Sequence, residues 1–201
     1  MFFREEIVRR KVRGIVSMGV KIRDYVMSDK SKQCISLLED TLDRLMDFPQ
    51  LKQYVGDLLS IEIVENGETD TVAGRYTPAR SVIKLYINQL ENDATFVYVF
   101  LHEFAHHVVH MRVELDPKYD SVKQNRAFVK EELRAESLAR VLAKKLFSDV
   151  KDMGEYLKAT KSNWKTLRSL WKGDTIPSYN YTYEWKVTFS SDQCRQLALA
   201  A

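Results

Sequence analysis

Residues 102–106 read His-Glu-Phe-Ala-His. Two histidines at i and i+4 lie on one face of an α-helix, one turn apart, so both imidazoles can reach one metal ion. Glu103, beside the first of them, can hold a water on the same ion and take its proton. The chemistry on offer is hydrolysis by metal-activated water, with His102 and His106 as ligands and Glu103 as general base. Zinc suits nitrogen and oxygen donors in tetrahedral array. The competing reading is a pair of core histidines satisfied by ordinary hydrogen bonds. Context favours the metal. The flanking residues Phe96, Val97, Val99, Phe100, Leu101, Phe104, Val108 and Val109 predict a buried helix, and buried histidines and a buried glutamate need partners.

A catalytic zinc keeps three protein ligands and one open position. The chain has four histidines, His102, His106, His107 and His110, and none further downstream, which excludes a third histidine at metzincin spacing. His110 is two turns from His102, roughly 12 Å along the axis, and His107 points off the ligand face. Both read as surface groups or as groups behind the ligands. The third ligand is then a carboxylate from another element. A helix predicted over about Val122–Phe147 has an apolar stripe of Phe128, Ala135, Ala139, Leu142 and Leu146, and Glu132 falls within it. A carboxylate on a core-facing position needs a partner, and zinc would be one. Glu136, one turn later and slightly to the side, is placed to accept a hydrogen bond from a ligand histidine. Glu131 borders the stripe on its other flank. Glu132 is the first choice for third ligand, with Glu136 and Glu131 as alternatives.

The elements that must position these residues follow from periodicity. Phe3, Ile7, Val8, Val12, Ile15, Val16, Ile22 and Val26 predict an amphipathic helix over 3–26. A second spans 32–47, and a short one follows Pro49 through Leu58. The period then changes to that of strands at Ile61–Val64, Val72–Tyr76 and Ser81–Ile87. The histidine helix runs over 92–111, with Asn92 or Asp93 able to cap it. Residues 112–119 read as a loop, helices are expected at 152–158 and 162–171, and 173–178 reads as a loop. Tyr179, Tyr181, Tyr183, Trp185, Val187 and Phe189 alternate with polar residues, which predicts a strand with one aromatic face. The expected fold is α+β, mostly helical, with a small mixed or antiparallel sheet beside the histidine helix. One domain over 1–201 is expected: a helical part at 1–58, a catalytic core at 60–147, and C-terminal helices with the aromatic strand at 148–201.

Composition narrows the class. The chain has 201 residues, 45% hydrophobic and 29% charged, which is long enough to bury a core without a disulfide or structural metal. Cys34 and Cys194 form no ligand-spaced pair, so a cysteine zinc site is not expected. No leader-like apolar stretch or bilayer-length run stands out, which predicts a cytoplasmic protein without a membrane partner. Net charge is +3, but residues 1–33 hold nine Lys/Arg against four Asp/Glu. That basic segment reads as a solvated helix face, or as a surface for nucleic acid.

Gly74-Arg75-Tyr76, Val82-Ile83-Lys84-Leu85-Tyr86-Ile87-Asn88, Leu101-His102-Glu103-Phe104-Ala105-His106-His107 and Glu132-Leu133-Arg134-Ala135-Glu136-Ser137-Leu138-Ala139 together resemble the ImmA/IrrE-type minimal gluzincins, over about residues 60–147. The resemblance implies a zincin-like α+β fold, zinc on His102, His106 and Glu132, Glu103 as base, and peptide-bond hydrolysis of a regulatory protein. An extended substrate is expected along the 81–87 strand. Tyr76, Tyr86, Tyr119 and Arg126 are candidates to stabilise the oxyanion. A zincin-fold protein or nucleic-acid-binding regulator without peptidase activity, and a metal-free helical interaction protein, are the alternatives.

Overall fold

The computed structural model describes residues 21–24, 28–64, 73–110, 113–114, 121–161, 165 and 186–187, with the backbone alone for 21–24, 110, 113–114, 121–128 and 186–187. The described elements are β1 (Lys21–Asp24), α1 (Asp29–Met46), α2 (Pro49–Asp57), β2 (Ser60–Val64), β3 (Gly74–Thr77), β4 (Val82–Tyr86), α3 (Asp93–His110), β5 (Val113–Glu114), α4 (Ser121–Leu146), α5 (Met153–Ala159) and β6 (Lys186–Val187). Single turns of 3₁₀ helix, Pro78–Arg80 and Ile87–Gln89, flank β4.

The α+β class holds: helices dominate, beside a small mixed sheet. Its strand order is β1-β2-β4-β3, with β1, β2 and β4 parallel and β3 antiparallel to β4. Alternation sets the buried face. Ile61 and Ile63 of β2 and Ile83 and Leu85 of β4 are wholly buried and share one side of the pleat by register. Against them pack α1 and α3. α4 lies along α3 and α5 closes the far end.

α3 is the centre of this arrangement. Asn92 caps it, its Oδ1 accepting the Thr95 N–H at 2.9 Å, which satisfies one orphan donor of the first turn. From Phe96 to Val109 every residue but Val99 and His102 is buried. A helix apolar nearly all round belongs inside, and α3 touches β3, β4, α1, α4 and α5. α1 is anchored to the end of α4 by Arg44, whose Nη1 reaches Leu146 O at 2.9 Å and Asp149 at 2.6 Å.

Three expectations need correction. Residues 21–24 were expected inside a helix over 3–26, but they form β1, with Ile22 at the register position beside Ile61. A four-residue stretch with one central apolar residue suits either period, and pairing with β2 decides it; the rest of that expected helix up to residue 20 lies outside the described residues. Residues 113–114, expected in a loop, form β5 and pair antiparallel with β6, which falls within the expected 179–189 strand. The remainder of that strand, and most of the helix expected at 162–171, lie outside the described residues. Finally, β4 is paired on both sides, so no peptide can add along 81–87. Among the described residues the unpaired edges of this four-stranded sheet belong to β1 and β3.

The α3–α4 contact is apolar where Leu142, wholly buried, enters the core. Leu142→Ala is expected to lower unfolding stability by about 2–5 kcal/mol, read as a fall in denaturant midpoint at unchanged slope. A loss below about 1 kcal/mol would mean that α4 is not docked as described.

Candidate metal centre

The site forms where the C-terminal half of α3 meets the middle of α4. His102 and His106 project from one face of α3, with Nε2 atoms 3.2 Å apart. Glu132 of α4 completes a triangle: Oε2 lies 3.5 Å from His102 Nε2 and Oε1 lies 3.3 Å from His106 Nε2. A tetrahedral zinc with bonds of about 2.0–2.2 Å spaces its donors roughly 3.3–3.5 Å apart. Both histidine nitrogens and a carboxylate oxygen facing each are therefore at ligand-like spacing, and His102, His106 and Glu132 could hold a metal.

The other ring nitrogens are held from behind. His102 Nδ1 lies 3.2 Å from Glu136 Oε2 and His106 Nδ1 lies 3.4 Å from Glu131 Oε1. A carboxylate accepts from N–H, so in the neutral rings both protons sit on Nδ1 and both Nε2 atoms carry lone pairs. Two lone pairs and a carboxylate then converge on one point with no donor among them. A metal cation satisfies that set, as ring protons shared with Glu132 do in its absence, and carboxylate–histidine–metal chains are how metal sites fix ring orientation.

Glu136 is itself anchored. Tyr98, one turn before His102, donates its hydroxyl to Oε1 at 2.6 Å. Arg140, one turn after Glu136, lies 3.4 Å from the same oxygen and donates to Thr160 Oγ1 at 3.0 Å and to the Leu157 carbonyl. The end of α5 is thus tied to a ligand histidine through two side chains.

Glu103 occupies the space between α3 and β3. Gly74 permits this: a Cβ there would stand 2.7 Å from Val99 Cγ1 and 2.9 Å from Glu103 Cγ, closer than packed carbons tolerate. Burial pushes the Glu103 carboxyl above the ordinary range, against the pull of His106 and His102 and of the Tyr76 backbone N–H. A carboxylate destabilised by burial is a better proton acceptor than one in water.

The histidines move oppositely to burial alone. Desolvation works against charge on His102, but the Glu132 and Glu136 carboxylates outweigh it and hold the pKa up at about 9. His106 is likewise enclosed, and Glu132 and Glu131 keep it well above the usual imidazole value. Burial would raise Glu132, but the two rings hold it well below the carboxylate range.

Sequence reading brought together His102, Glu103, His106, Glu132 and Glu136, and the structure gathers all five. Glu131, an alternative ligand from sequence, sits instead behind His106. His107 is corrected most: it is neither a surface group nor behind a ligand, but wholly buried. Its Nε2–H donates to Tyr54 O at 2.9 Å and its Nδ1 accepts from Tyr76 Oη–H at 2.9 Å, joining α2 and β3. Tyr76 is thereby committed to His107. Tyr86 lines the opposite side of the sheet. The Tyr119 and Arg126 side chains, and that of His110, lie outside the described residues. Tyr98 and Arg140 were missed. The available signal was a tyrosine at i−4 from His102 in an otherwise apolar helix, whose buried hydroxyl needs a partner.

Glu136→Ala and Glu131→Ala are each expected to weaken divalent-metal affinity about 10–100-fold, measured by chelator competition; unchanged affinity in both would remove them from the site. Protons and metal compete for the same nitrogens, so metal uptake at pH 7 should release protons. The sign follows from the raised histidines: in metal-free protein their protonation stabilises the fold fully below about 6.5 and that stabilisation fades as pH rises through about 9. Over pH 7–9 the metal therefore binds more tightly as pH rises and displaces fewer protons. Calorimetry in buffers of differing ionisation enthalpy reads this directly, and heats independent of buffer at pH 7 would contradict it. No protein-family model, no curated protein and no solved structure matches the chain.

Proposed function

We propose that the protein is a zinc-dependent metallopeptidase with a zincin-like fold. The observation that carries this reading is the triangle of His102 Nε2, His106 Nε2 and Glu132, with edges of 3.2–3.5 Å, beside a buried Glu103 on the same helix. The resemblance of residues 60–147 to ImmA/IrrE-type gluzincins supports it, and suggests a regulatory protein as substrate. Well-separated cysteines, with Cys34 free and buried, support a reducing, cytoplasmic setting. No helix among the described residues is long and apolar enough to cross a membrane.

His102, His106 and Glu132 would hold the zinc, which supplies Lewis acidity, lowering the pKa of a water to about 7 and polarising a carbonyl. Glu103 takes the proton of the attacking water and delivers it to the leaving amine. Glu136 and Glu131 keep both rings in the tautomer that presents Nε2 to the ion. The edge of β3 that no described strand covers, against which Glu103 rests, is the backbone along which an extended substrate adds to the sheet. A protein that only bound its partner would gain nothing from a buried carboxylate at that place, which costs stability through desolvation.

Wild-type protein purified without tag histidines is expected to carry about one zinc per chain. His106→Ala and Glu132→Ala should lose or weaken it, by plasma mass spectrometry. Glu103→Gln should keep the zinc and lose peptidase activity by at least about 10²-fold. Zinc-free wild type after reconstitution would sink the metal reading. Full activity in Glu103→Gln would remove the assigned base.

A further inference from the structure

The face of the sheet turned away from α3 carries a second feature. Glu62, Arg75, Thr77, Arg80 and Lys84 are among the residues lining a cavity of about 250 Å³. Register sets Arg75 directly across from Lys84, and Lys84 beside Glu62. Like charges directly opposite on a ladder repel. The one carboxylate lining the cavity, the buried Glu62, lies 3.1 Å from Lys84 Nζ. Arg75 and Arg80 are exposed, and neither has a carboxylate partner among the described residues. Among the described residues, positive charge is gathered here and two arginines are left without a carboxylate, an arrangement that an anion would relieve.

This cavity lies on the back of the strand that borders the metal centre. Gly74 and Tyr76 of β3 meet Glu103 and His107, while Arg75 and Thr77 line the cavity. A peptide added to the outer edge of β3 alternates its side chains between the same two sides. One set faces α3 and Glu103. The other set lies on the side of Arg75, at the cross-strand distance of about 4.5–5.5 Å that a carboxylate and an arginine fork can bridge. Arg80, in the 3₁₀ turn that follows β3, lines the same cavity.

We propose that the substrate is an extended acidic segment whose Asp or Glu side chains, at alternate positions, pair with Arg75 and Arg80 while the intervening residues face Glu103. This rests on the peptidase reading. A nucleic acid fits less well. The cavity is small, and the backbone edge beside it, unpaired among the described residues, offers hydrogen bonds that a peptide returns and a phosphodiester chain does not.

The test is cleavage of a randomised peptide library by zinc-loaded full-length protein, with the products sequenced. Wild type should enrich Asp and Glu at alternate positions near the cut by about two- to fivefold each, the scale of an exposed ion pair, and less at high salt. Arg75→Gln with Arg80→Gln should erase the enrichment, and Arg75→Glu with Arg80→Glu should turn it towards Lys and Arg, each read among that variant's own products and so independent of its overall rate. Cleavage without acidic enrichment, or with enrichment unchanged in both variants, overturns this inference and leaves the peptidase reading intact. No cleavage of any peptide by wild type sinks the peptidase reading and this one with it. Salt-sensitive capture of an oligonucleotide, lost in the arginine variants, would assign the face to nucleic acid and overturn the acidic peptide.

Discussion

A helix with almost no exposed surface must find an internal partner for every polar side chain it carries. α3 is that helix, and within its buried stretch it carries Tyr98, His102, Glu103, His106 and His107. Each unpaired polar group in such a place would cost on the order of 1–3 kcal/mol, and a charge more. The surrounding elements answer these demands one by one. α4 supplies carboxylates to His102 and His106. α2 supplies the Tyr54 carbonyl to His107, and β3 supplies the Tyr76 hydroxyl. The placing of three elements around α3 is thus tied to the chemistry of five residues.

The carboxylates show how finely this is divided. Three glutamates within six residues of α4 serve two histidines: one faces both Nε2 atoms and one stands behind each ring. Gathering them beside two imidazoles is costly, because each ion must leave water, and an apolar cluster of equal volume would hold α3 to α4 at least as well. The cluster is therefore poor evidence for stability and better evidence for a function that needs converging donors. Its surroundings agree: Tyr98 and Arg140 pin Glu136, and Arg140 is pinned in turn by the end of α5. Networks of this kind favour one geometry over near alternatives because a partly satisfied member is expensive.

Much of this was legible in the residues. The i, i+4 histidines, the apolar run around them and the position of Glu132 in a stripe of small and aliphatic residues located the donor triangle, because helical periodicity converts spacing into direction. The helices at 29–46, 93–110 and 121–146 came within a few residues for the same reason. What was not legible depended on tertiary pairing. Residues 21–24 are too short for periodicity to choose between helix and strand. Whether β4 keeps an edge open to a substrate depends on where β2 and β3 lie, and no spacing within a strand says so. His107 was misjudged because its helical angle shows only that it leaves the ligand face. That it enters the core between Tyr54 and Tyr76 depends on elements 31 and 53 residues away.

β3 carries the tightest constraint of all, because its two sides are given opposite tasks. Gly74 must lack a side chain so that Glu103 can lie against the strand, and Tyr76 must reach His107 on that same side. Arg75 and Thr77 are then forced to the other. A slip of one residue would reverse every side chain: it would press Arg75 against the buried Glu103 and turn Tyr76 out to the cavity. That would neutralise the proposed base with a desolvated guanidinium and leave His107 without its hydroxyl. The register of four residues therefore sets both the proton acceptor on one side of the sheet and the cationic surface on the other. In the proposed enzyme, the same pleat that keeps Glu103 free to accept a proton also determines which substrate side chains meet Arg75.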